Sequence, residues 1–221
     1  MARIFIYGII FLLSTIFFTS IEEIALKTGM PWTLSKALPY LLLILTGILT
    51  SIWFARYLHI KNNGVKAALL LIVLVLPFGT GFILHPIYEG DFSKNGQALN
   101  PGSSLEDFKN TDLAVIAIPG CPYCHGSIDD LKKLKERNPS LRVKFIVLSS
   151  DPEDLTPYHI QTGDTIEVVN SSQLDSLGKI ASYSFPSFVQ IRNNKAILKW
   201  SNDQFGVRAK DLLEAAYRKQ S

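Results

Sequence analysis

Residues 113–137 of this 221-residue chain read LAVIAIPGCPYCHGSIDDLKKLKER, and within them an apolar pattern changes into an amphipathic one. Leu113–Ile118 is an unbroken apolar run of the length expected for a buried strand. Cys124–Arg137 then has apolar residues at three-residue steps among charged ones, which predicts an amphipathic helix. The only two cysteines of the chain, Cys121 and Cys124, lie where the predicted strand gives way to the predicted helix.

The sequence that follows predicts one more parallel strand and then a hairpin. Val143–Leu148 predicts a second strand, and the strand–helix–strand order implies a right-handed parallel crossover. Ser149–Gly163 is a long connection in which Pro152, Glu153 and Asp154 suit the start of a short helix. With Tyr158 and His159 it either shapes a substrate groove or, as we favour, runs as a solvated surface segment. The remaining predicted elements are a short strand at Ile166–Val169, a helix that ends near Tyr183, a hairpin of Ser187–Ile191 and Ala196–Trp200, and a helix over Val207–Lys219.

The position of the cysteine pair predicts thiol chemistry. A thiol at a helix N-terminus meets free backbone N–H groups and the positive end of the helix dipole, which lower a cysteine pKa to about 3.5–7.5 from ~8.5. Cys121 is therefore the predicted attacking thiolate, and Cys124, one turn further along, is the predicted resolving thiol. Pro122 suits the first helical turn, where its missing N–H costs nothing. His125 either adds positive charge beside the pair when protonated or is an ordinary exposed helix residue.

This order of elements resembles the thioredoxin fold over about residues 105–220, with Gly120-Cys121-Pro122-Tyr123-Cys124 at a helix start and Phe185-Pro186-Ser187-Phe188 opening the hairpin. The resemblance implies an α/β domain whose dithiol exchanges disulfides with protein substrates, without a cofactor or a metal. It also implies that Pro186 is a cis-proline that faces the dithiol and, with Phe185, contacts an extended substrate.

Two subclasses remain open within this resemblance. Pro122 and Tyr123 between the cysteines are similar to glutaredoxins, whereas a membrane-tethered outer domain resembles the TlpA-like and DsbA-like oxidoreductases of the bacterial periplasm. The direction of electron flow also stays open, because it depends on how strongly the folded domain stabilises the reduced form of the pair.

The chain departs from thioredoxin next to the dithiol. Val115 stands where thioredoxin has a buried carboxylate, and Gly120 replaces the tryptophan that precedes the first cysteine. Asp112, Asp129 or a water molecule would therefore have to accept the proton of the resolving thiol.

The first 88 residues have the composition of a membrane module. The whole chain is 48% hydrophobic with a mean hydropathy of +0.21, yet residues 1–88 hold only six of its 22 Lys and Arg residues and two of its 19 Asp and Glu residues. Three apolar stretches, Ile4–Ile21, Leu38–Ala55 and Val65–Leu84, each approach the ~20 residues that span a bilayer as a helix. We therefore predict three domains: a three-span transmembrane anchor over 1–88, a polar linker over 89–112, and the thioredoxin-like domain over 113–221.

The placement of Lys and Arg predicts the orientation of this anchor. The loop between the second and third predicted spans contains Arg56, Lys61 and Lys66 without an acidic residue, which by the positive-inside rule makes it cytoplasmic. The chain is then a multi-pass protein of the cell (inner) membrane with an extracytoplasmic C-terminal domain. The first stretch also starts like a secretory signal peptide, but it lacks a clear cleavage site, so we favour a retained span.

Two metal-based functions compete with thiol exchange. The segment from Cys121 to His125 matches the C-x-x-C-H pattern of haem attachment, but both methionines precede residue 31, so His159 or an outside group would have to complete the haem ligands. Copper delivery by a tethered thioredoxin-like domain is the binding-protein alternative, since thiolates suit Cu(I).

Charge and cysteine placement also narrow the partners. Residues 89–221 contain the other 16 basic and 17 acidic residues, intermixed without a basic stripe, which argues against nucleic-acid binding. Residues 1–88 contain no cysteine, so this chain does not pass electrons across a membrane by thiol exchange. We therefore expect a bilayer, protein thiols or disulfides, and a separate redox partner that supplies or accepts electrons.

Overall fold

A computed structural model describes residues 2–57, 59–92, 96–99 and 105–218. The chain forms two compact units, Met1–Tyr88 and Glu89–Ser221. Residues 93–95 and 100–104 of the predicted linker, and Lys219 of the last predicted helix, lie outside the described residues.

The first unit consists of helices that vary in length. Helix α3 (Trp32–Tyr57) and helix α4 (Asn63–Leu84) are each long and apolar enough to cross a membrane. The region of the first predicted span is instead two helices, α1 (Ala2–Ile16) and α2 (Phe18–Lys27), whose apolar portions are bent by 65°. The described residues thus contain two uninterrupted candidate spans, or three if the bent pair is counted as one.

The bend between α1 and α2 has a local cause. Phe17 leaves the helical region with φ −94° and ψ 19°, and the hydroxyl of Thr15 just before it donates a hydrogen bond to the carbonyl of Phe11 at 2.9 Å. Such back-bonding weakens the regular ladder and bends helices. Beyond the bend, Glu22 and Glu23 make α2 more polar than the apolar stretch before it, so the uniform apolar run of the sequence ends within this helix.

Close packing joins α3 to α4. Gly47 lies against the backbone of Leu74, and Gly81 lies against the side chain of Leu43, so a larger residue at either glycine would push the helices apart. Pro39 and Pro77 are accommodated inside the two helices.

The second unit is built on a six-stranded sheet in the order β1-β6-β5-β2-β3-β4. β2, β3 and β4 are parallel, whereas β5, β6 and β1 are joined by antiparallel pairing, with β5 beside β2. The strands are β1 (Gln97–Ala98), β2 (Leu113–Ala117), β3 (Val143–Leu148), β4 (Glu167–Ser171), β5 (Ser187–Arg192) and β6 (Lys195–Ser201).

Within the described part of this unit, the α-helices beside the sheet are α5 (Glu89–Phe92), α6 (Pro122–Gly126), α7 (Ile128–Arg137), α8 (Thr156–Thr162), α9 (Leu174–Ala181) and α10 (Val207–Arg218). Short 3-10 turns cover Glu106–Phe108, Pro152–Leu155 and Gly163–Thr165. The predicted helix Cys124–Arg137 therefore begins earlier and is interrupted, because Ser127 turns its hydroxyl onto the carbonyl of Cys124 at 2.7 Å and separates α6 from α7.

The connection after β3 is more ordered than a solvated surface segment. The short helix expected from Pro152 is present as a 3-10 turn and continues into α8, and Tyr158 of α8 is fully buried rather than solvated. Asp151 caps the first turn by accepting the N–H of Glu153 at 2.9 Å, which explains why the chain becomes helical here. Strand β4 then lies at the sheet edge beside β3.

The topology of the second unit is thioredoxin-like. A central strand, β2, leads into the cysteine-bearing helix, the chain returns to a parallel neighbour, and a hairpin of β5 and β6 follows the Phe185–Pro186 peptide, which is cis as the resemblance implied. The hairpin turn uses Asn193 and Asn194 at φ 52° and 58°, the left-handed conformation that asparagine tolerates.

All five residues of β2 are buried, so the sheet is covered on both faces. One face holds Ile116, Ile146 and Leu177 of α9 in a single apolar cluster. On the other face, Phe188 is cross-strand from Val115 and stacks on Phe205 with ring centroids 3.8 Å apart. On this second face, Tyr158 of α8 also packs on Phe145, which pairs with Val115, with ring centroids 5.0 Å apart.

Candidate active site

Cys121 and Cys124 form a disulfide at the end of β2. Cys121 is the residue that caps α6, and its Sγ accepts the backbone N–H of Cys124 at 3.2 Å. The exposed fraction is 8% for Cys121 and 0% for Cys124. Of the two cysteines, Cys121 is thus the one that keeps some contact with solvent, and the division into a nucleophilic and a resolving thiol stays a prediction.

The local sequence explains why Cys121 occupies this position. Gly120 has φ +66°, a conformation that glycine adopts at little cost, and it turns the chain from the strand into the helix. Pro122 follows as the first helical residue, where its ring presets the helical φ. The positive φ of Gly120 and the fixed φ of Pro122, on either side of Cys121, thus hold this cysteine at the start of the helix.

Pro186 lies at the same end of the sheet as the cysteines. Ser187 pairs with Ile116 in the β2–β5 ladder, so Pro186 is one position closer to the end of β2 that leads to Cys121. Pro186 is buried, and the ring of Phe185 packs against the apolar cluster around Ile116. The side chain of Phe185 thus contributes to the core, while the peptide that it shares with Pro186 forms the cis bond.

A cavity of about 300 Å³ adjoins the cysteine-bearing helix. Tyr123, with 68% of its surface exposed, lines the cavity at the solvent side, and Phe188 and Phe205 provide an aromatic wall. Its remaining lining residues are Pro122, Gly126, Ser127, Asp130 and Asn202. The cavity is large enough for one side chain, and its lining includes Pro122 and Tyr123 between the two cysteines but neither cysteine itself.

His125 is held by the neighbouring helix rather than being free in solvent. Its Nδ1 lies 2.9 Å from Oε1 of Gln161, and Nε2 of Gln161 donates to the His125 carbonyl at 2.9 Å. Its ring stacks on Tyr158 with centroids 4.2 Å apart and planes 2° from parallel. His125 is therefore half-buried and hydrogen-bonded, which does not fit an ordinary exposed helix residue. The positive charge that it would add beside the cysteines stays a prediction.

Tyr158, which the sequence offered only as a residue of the long connection, lies at the site and contacts the turn before Cys121. Its hydroxyl donates to the carbonyl of Ile118 at 2.7 Å. Burial raises the pKa of the Tyr158 phenol, the Cys121 N–H opposes that shift, and the charge of Asp154 adds to it. The available signal was a single apolar ring in a polar connection, which does not by itself distinguish a surface residue from a buried one.

The carboxylates suggested as proton acceptors are placed elsewhere. Asp112 precedes β2 at the opposite end from the cysteines and forms an ion pair with Arg142, with 2.5 Å between Oδ1 and Nη2, which raises the pKa of the Arg142 guanidinium. Asp129 is exposed on α7. Val115 is fully buried between Phe145 and Phe188, so the strand beneath the dithiol is apolar.

Metal-ligating side chains do not gather around the cysteine pair in the described ranges. Over residues 2–57, 59–92, 96–99 and 105–218, no three His, Cys, Asp or Glu side chains are grouped closely enough to hold a metal ion. His159, the other candidate ligand of this domain, is exposed on α8.

The fold and the site together define a thioredoxin-like domain with a CxxC disulfide. No protein-family model and no curated protein matches the chain. Among solved structures, it is 16% identical to a secreted Mycobacterium tuberculosis disulfide oxidoreductase homologous to E. coli DsbE, over 47% of this chain and 79% of that one, with a TM-score of 0.38.

Two Bacteroides structures are similar at the same level. The thioredoxin domain of a thiol-disulfide oxidoreductase from Bacteroides vulgatus is 18% identical over 49% of this chain and 84% of that one, with a TM-score of 0.39. A thioredoxin-like protein from Bacteroides caccae is 14% identical over 83% of both chains, with a TM-score of 0.37.

Proposed function

We propose that this chain is a membrane-anchored thiol-disulfide oxidoreductase that acts on extracytoplasmic proteins through Cys121 and Cys124. The observation that supports this most directly is the asymmetric disulfide at the start of α6, in which Cys121 is 8% exposed and Cys124 is fully enclosed. This arrangement lets a foreign sulfur form a bond with one cysteine while the other stays ready to break it.

The exchange proceeds in two balanced steps. With the pair reduced, the Cys121 thiolate attacks a substrate disulfide, forms a mixed disulfide and releases one substrate thiolate, which takes a proton from water. Cys124 then loses its proton, attacks Sγ of Cys121 and releases the second substrate thiolate, so that two electrons pass to the substrate and the pair is oxidised. Oxidation of a substrate dithiol is the same sequence in reverse, starting from the disulfide that the structure contains.

The cis peptide and the adjoining cavity serve substrate binding in this proposal. Pro186, at the same sheet end as Cys121, offers a backbone edge to an extended segment, and Tyr123 borders the cavity that receives a neighbouring side chain. Pro122 and His125 modulate the thiols. A separate redox partner resets the pair after each turnover, because both cysteines of the chain belong to this one site.

The proposal is tested with the full chain in detergent micelles and a protein substrate that contains a disulfide. We expect Cys121→Ser to lose exchange by at least a thousandfold, because the attacking sulfur is removed. Cys124→Ser serves as the matched control, since it retains the attacking sulfur and should accumulate a mixed disulfide visible on a non-reducing gel.

Two results would contradict the proposal. One is exchange at the wild-type rate by Cys121→Ser. The other is retention of Cu(I) by the wild type with no mixed disulfide in Cys124→Ser, which would favour copper delivery instead.

A further inference from the structure

Helix α8 is hydrogen-bonded to the loop that precedes Cys121. The Tyr158 hydroxyl, from the middle of α8, donates a hydrogen bond to the carbonyl of Ile118, the residue that begins the turn into Cys121. One phenol therefore ties the start of the Ile118–Cys121 turn to α8. Because Tyr158 is 0% exposed and its ring also packs on Phe145 at 5.0 Å, the hydroxyl has little freedom to move away.

The same helix is also hydrogen-bonded to the C-terminal end of α6. Gln161 lies one turn after Tyr158 and makes two hydrogen bonds to His125, one to its ring and one to its backbone carbonyl. Since the amide nitrogen of Gln161 must face the carbonyl, its oxygen faces Nδ1 of His125, and this requires a proton on Nδ1. The neutral imidazole is thereby held in one tautomer, parallel to the Tyr158 ring.

We propose that Tyr158 and Gln161 are positioning residues that hold α6 so that the Cys124 N–H points at Sγ of Cys121, and that they thereby set the redox equilibrium of the pair. This inference rests on the proposed function, because it assigns the residues that tune the same dithiol.

The chemical consequence follows from the charge on sulfur. Reduction of the disulfide adds two electrons and two protons, and release of the Cys121 proton leaves a thiolate that a nearby N–H donor stabilises. In the present geometry that donor lies 3.2 Å from Sγ. Without the hydrogen bonds from α8, the turn before Cys121 and the Cys124 N–H move apart. This destabilises the reduced form relative to the disulfide.

The variants are chosen to remove the hydrogen bonds and keep the packing. Tyr158→Phe removes the hydroxyl and retains the ring that stacks on His125, while Gln161→Met retains the length of the side chain. His159→Gln is the matched control, because it lies on the same helix and its side chain is exposed. Each variant is prepared as the full chain in detergent micelles and equilibrated with reduced and oxidised glutathione.

We expect the equilibrium constant with glutathione to shift about tenfold towards the disulfide in Tyr158→Phe, which is about 30 mV for a two-electron couple. Gln161→Met should shift it in the same direction by about threefold, and His159→Gln by less than twofold. Folded variants of Tyr158 and Gln161 with wild-type equilibrium constants, or with a shift towards the dithiol, would overturn the proposal.

Two further readouts separate this inference from the function itself. The thiolate absorbance of the reduced protein should appear at higher pH in Tyr158→Phe than in the wild type, a measurement that needs no substrate. The ¹⁵N shifts of the His125 ring should show a proton on Nδ1 in the wild type and a mixture of tautomers in Gln161→Met. If these hold while no protein disulfide is exchanged, the proposed function fails and the positioning roles stand.

Discussion

Tyr158 shows how one buried hydroxyl affects both stability and chemistry. Its hydroxyl donates to the carbonyl of Ile118, a partly buried polar group between the end of the strand and Cys121. Leaving such a group unsatisfied costs about 1–3 kcal/mol, so the hydroxyl contributes to the folded state as well as to the geometry of Cys121.

The first prediction concerns the pH dependence of that contribution. Burial raises the pKa of the Tyr158 phenol above its ordinary value of about 10, so above pH 10 the unfolded chain loses this proton before the folded one does. The stabilisation from Tyr158 is therefore complete below pH 10 and decreases as the pH rises towards the folded-state pKa. At pH 7 we expect the free energy of unfolding of Tyr158→Phe to be about 2 kcal/mol lower than that of the wild type.

Urea titrations read by pulse proteolysis at pH 7 and above pH 10 would measure this difference. The difference in free energy of unfolding between the wild type and Tyr158→Phe should be smaller at the higher pH. Tyr183→Phe is the control, because Tyr183 is 64% exposed and should change the free energy of unfolding by less than about 0.5 kcal/mol. A gap that stays constant through this range would show that the phenol titrates normally.

At the scale of elements, α10 is tied to the helix that follows the dithiol. Glu214 of α10 is buried and accepts from Arg137 at 3.0 Å and from Asn138 at 2.8 Å, at the end of α7. Lys210, one turn earlier, reaches Asp130 near the start of α7 at 2.5 Å. These contacts hold α7 along its length, and α7 in turn continues from the cysteine-bearing helix.

The second prediction tests this buried network. Glu214→Ala leaves the nearly enclosed Arg137 guanidinium without the carboxylate, and we expect a loss of about 3 kcal/mol in the free energy of unfolding. Glu106→Ala breaks the exposed ion pair with Lys109 and should cost less than about 0.5 kcal/mol. Urea titration of both variants would measure the contrast, and equal losses would mean that Glu214 contributes no more than a surface charge.

At the scale of the whole molecule, charge is distributed unevenly between the two units. Residues 1–88 include α3 and α4, which meet the length and hydropathy of membrane spans, and the basic residues Arg56, Lys61 and Lys66 lie at or between them. Because basic loops are retained on the cytoplasmic side, this pattern predicts that the second unit is extracytoplasmic. An oxidising compartment also suits a dithiol that cycles through a disulfide.

The third prediction is this sidedness. In a chain with Cys121→Ser and Cys124→Ser, a single cysteine introduced as Asp164→Cys should react with a membrane-impermeant maleimide in intact spheroplasts. The same reagent should reach Lys61→Cys only after permeabilisation, which makes that variant the matched control. The reverse pattern of labelling would place the second unit in the cytoplasm.

The amino-acid sequence by itself was sufficient for the features that depend on local pattern. The run Leu113–Ala117 is a buried strand because an uninterrupted apolar stretch has to be covered on both faces, and Asn193 and Asn194 form the hairpin turn because asparagine tolerates positive φ. The cysteine pair at a strand–helix junction could likewise be predicted from the sequence, because two cysteines at this spacing can form a disulfide with each other.

Only the tertiary structure decided which distant residues meet the dithiol. Tyr158 and Gln161 lie more than thirty residues beyond Cys121, and their polar neighbours gave no periodic pattern that would predict burial. Asp112 is near Cys121 in sequence, yet an extended strand carries it to the opposite end of β2. Hydrophobic periodicity reports which face of an element is covered, whereas contacts between elements depend on how the chain returns, and that information is distributed over the whole fold.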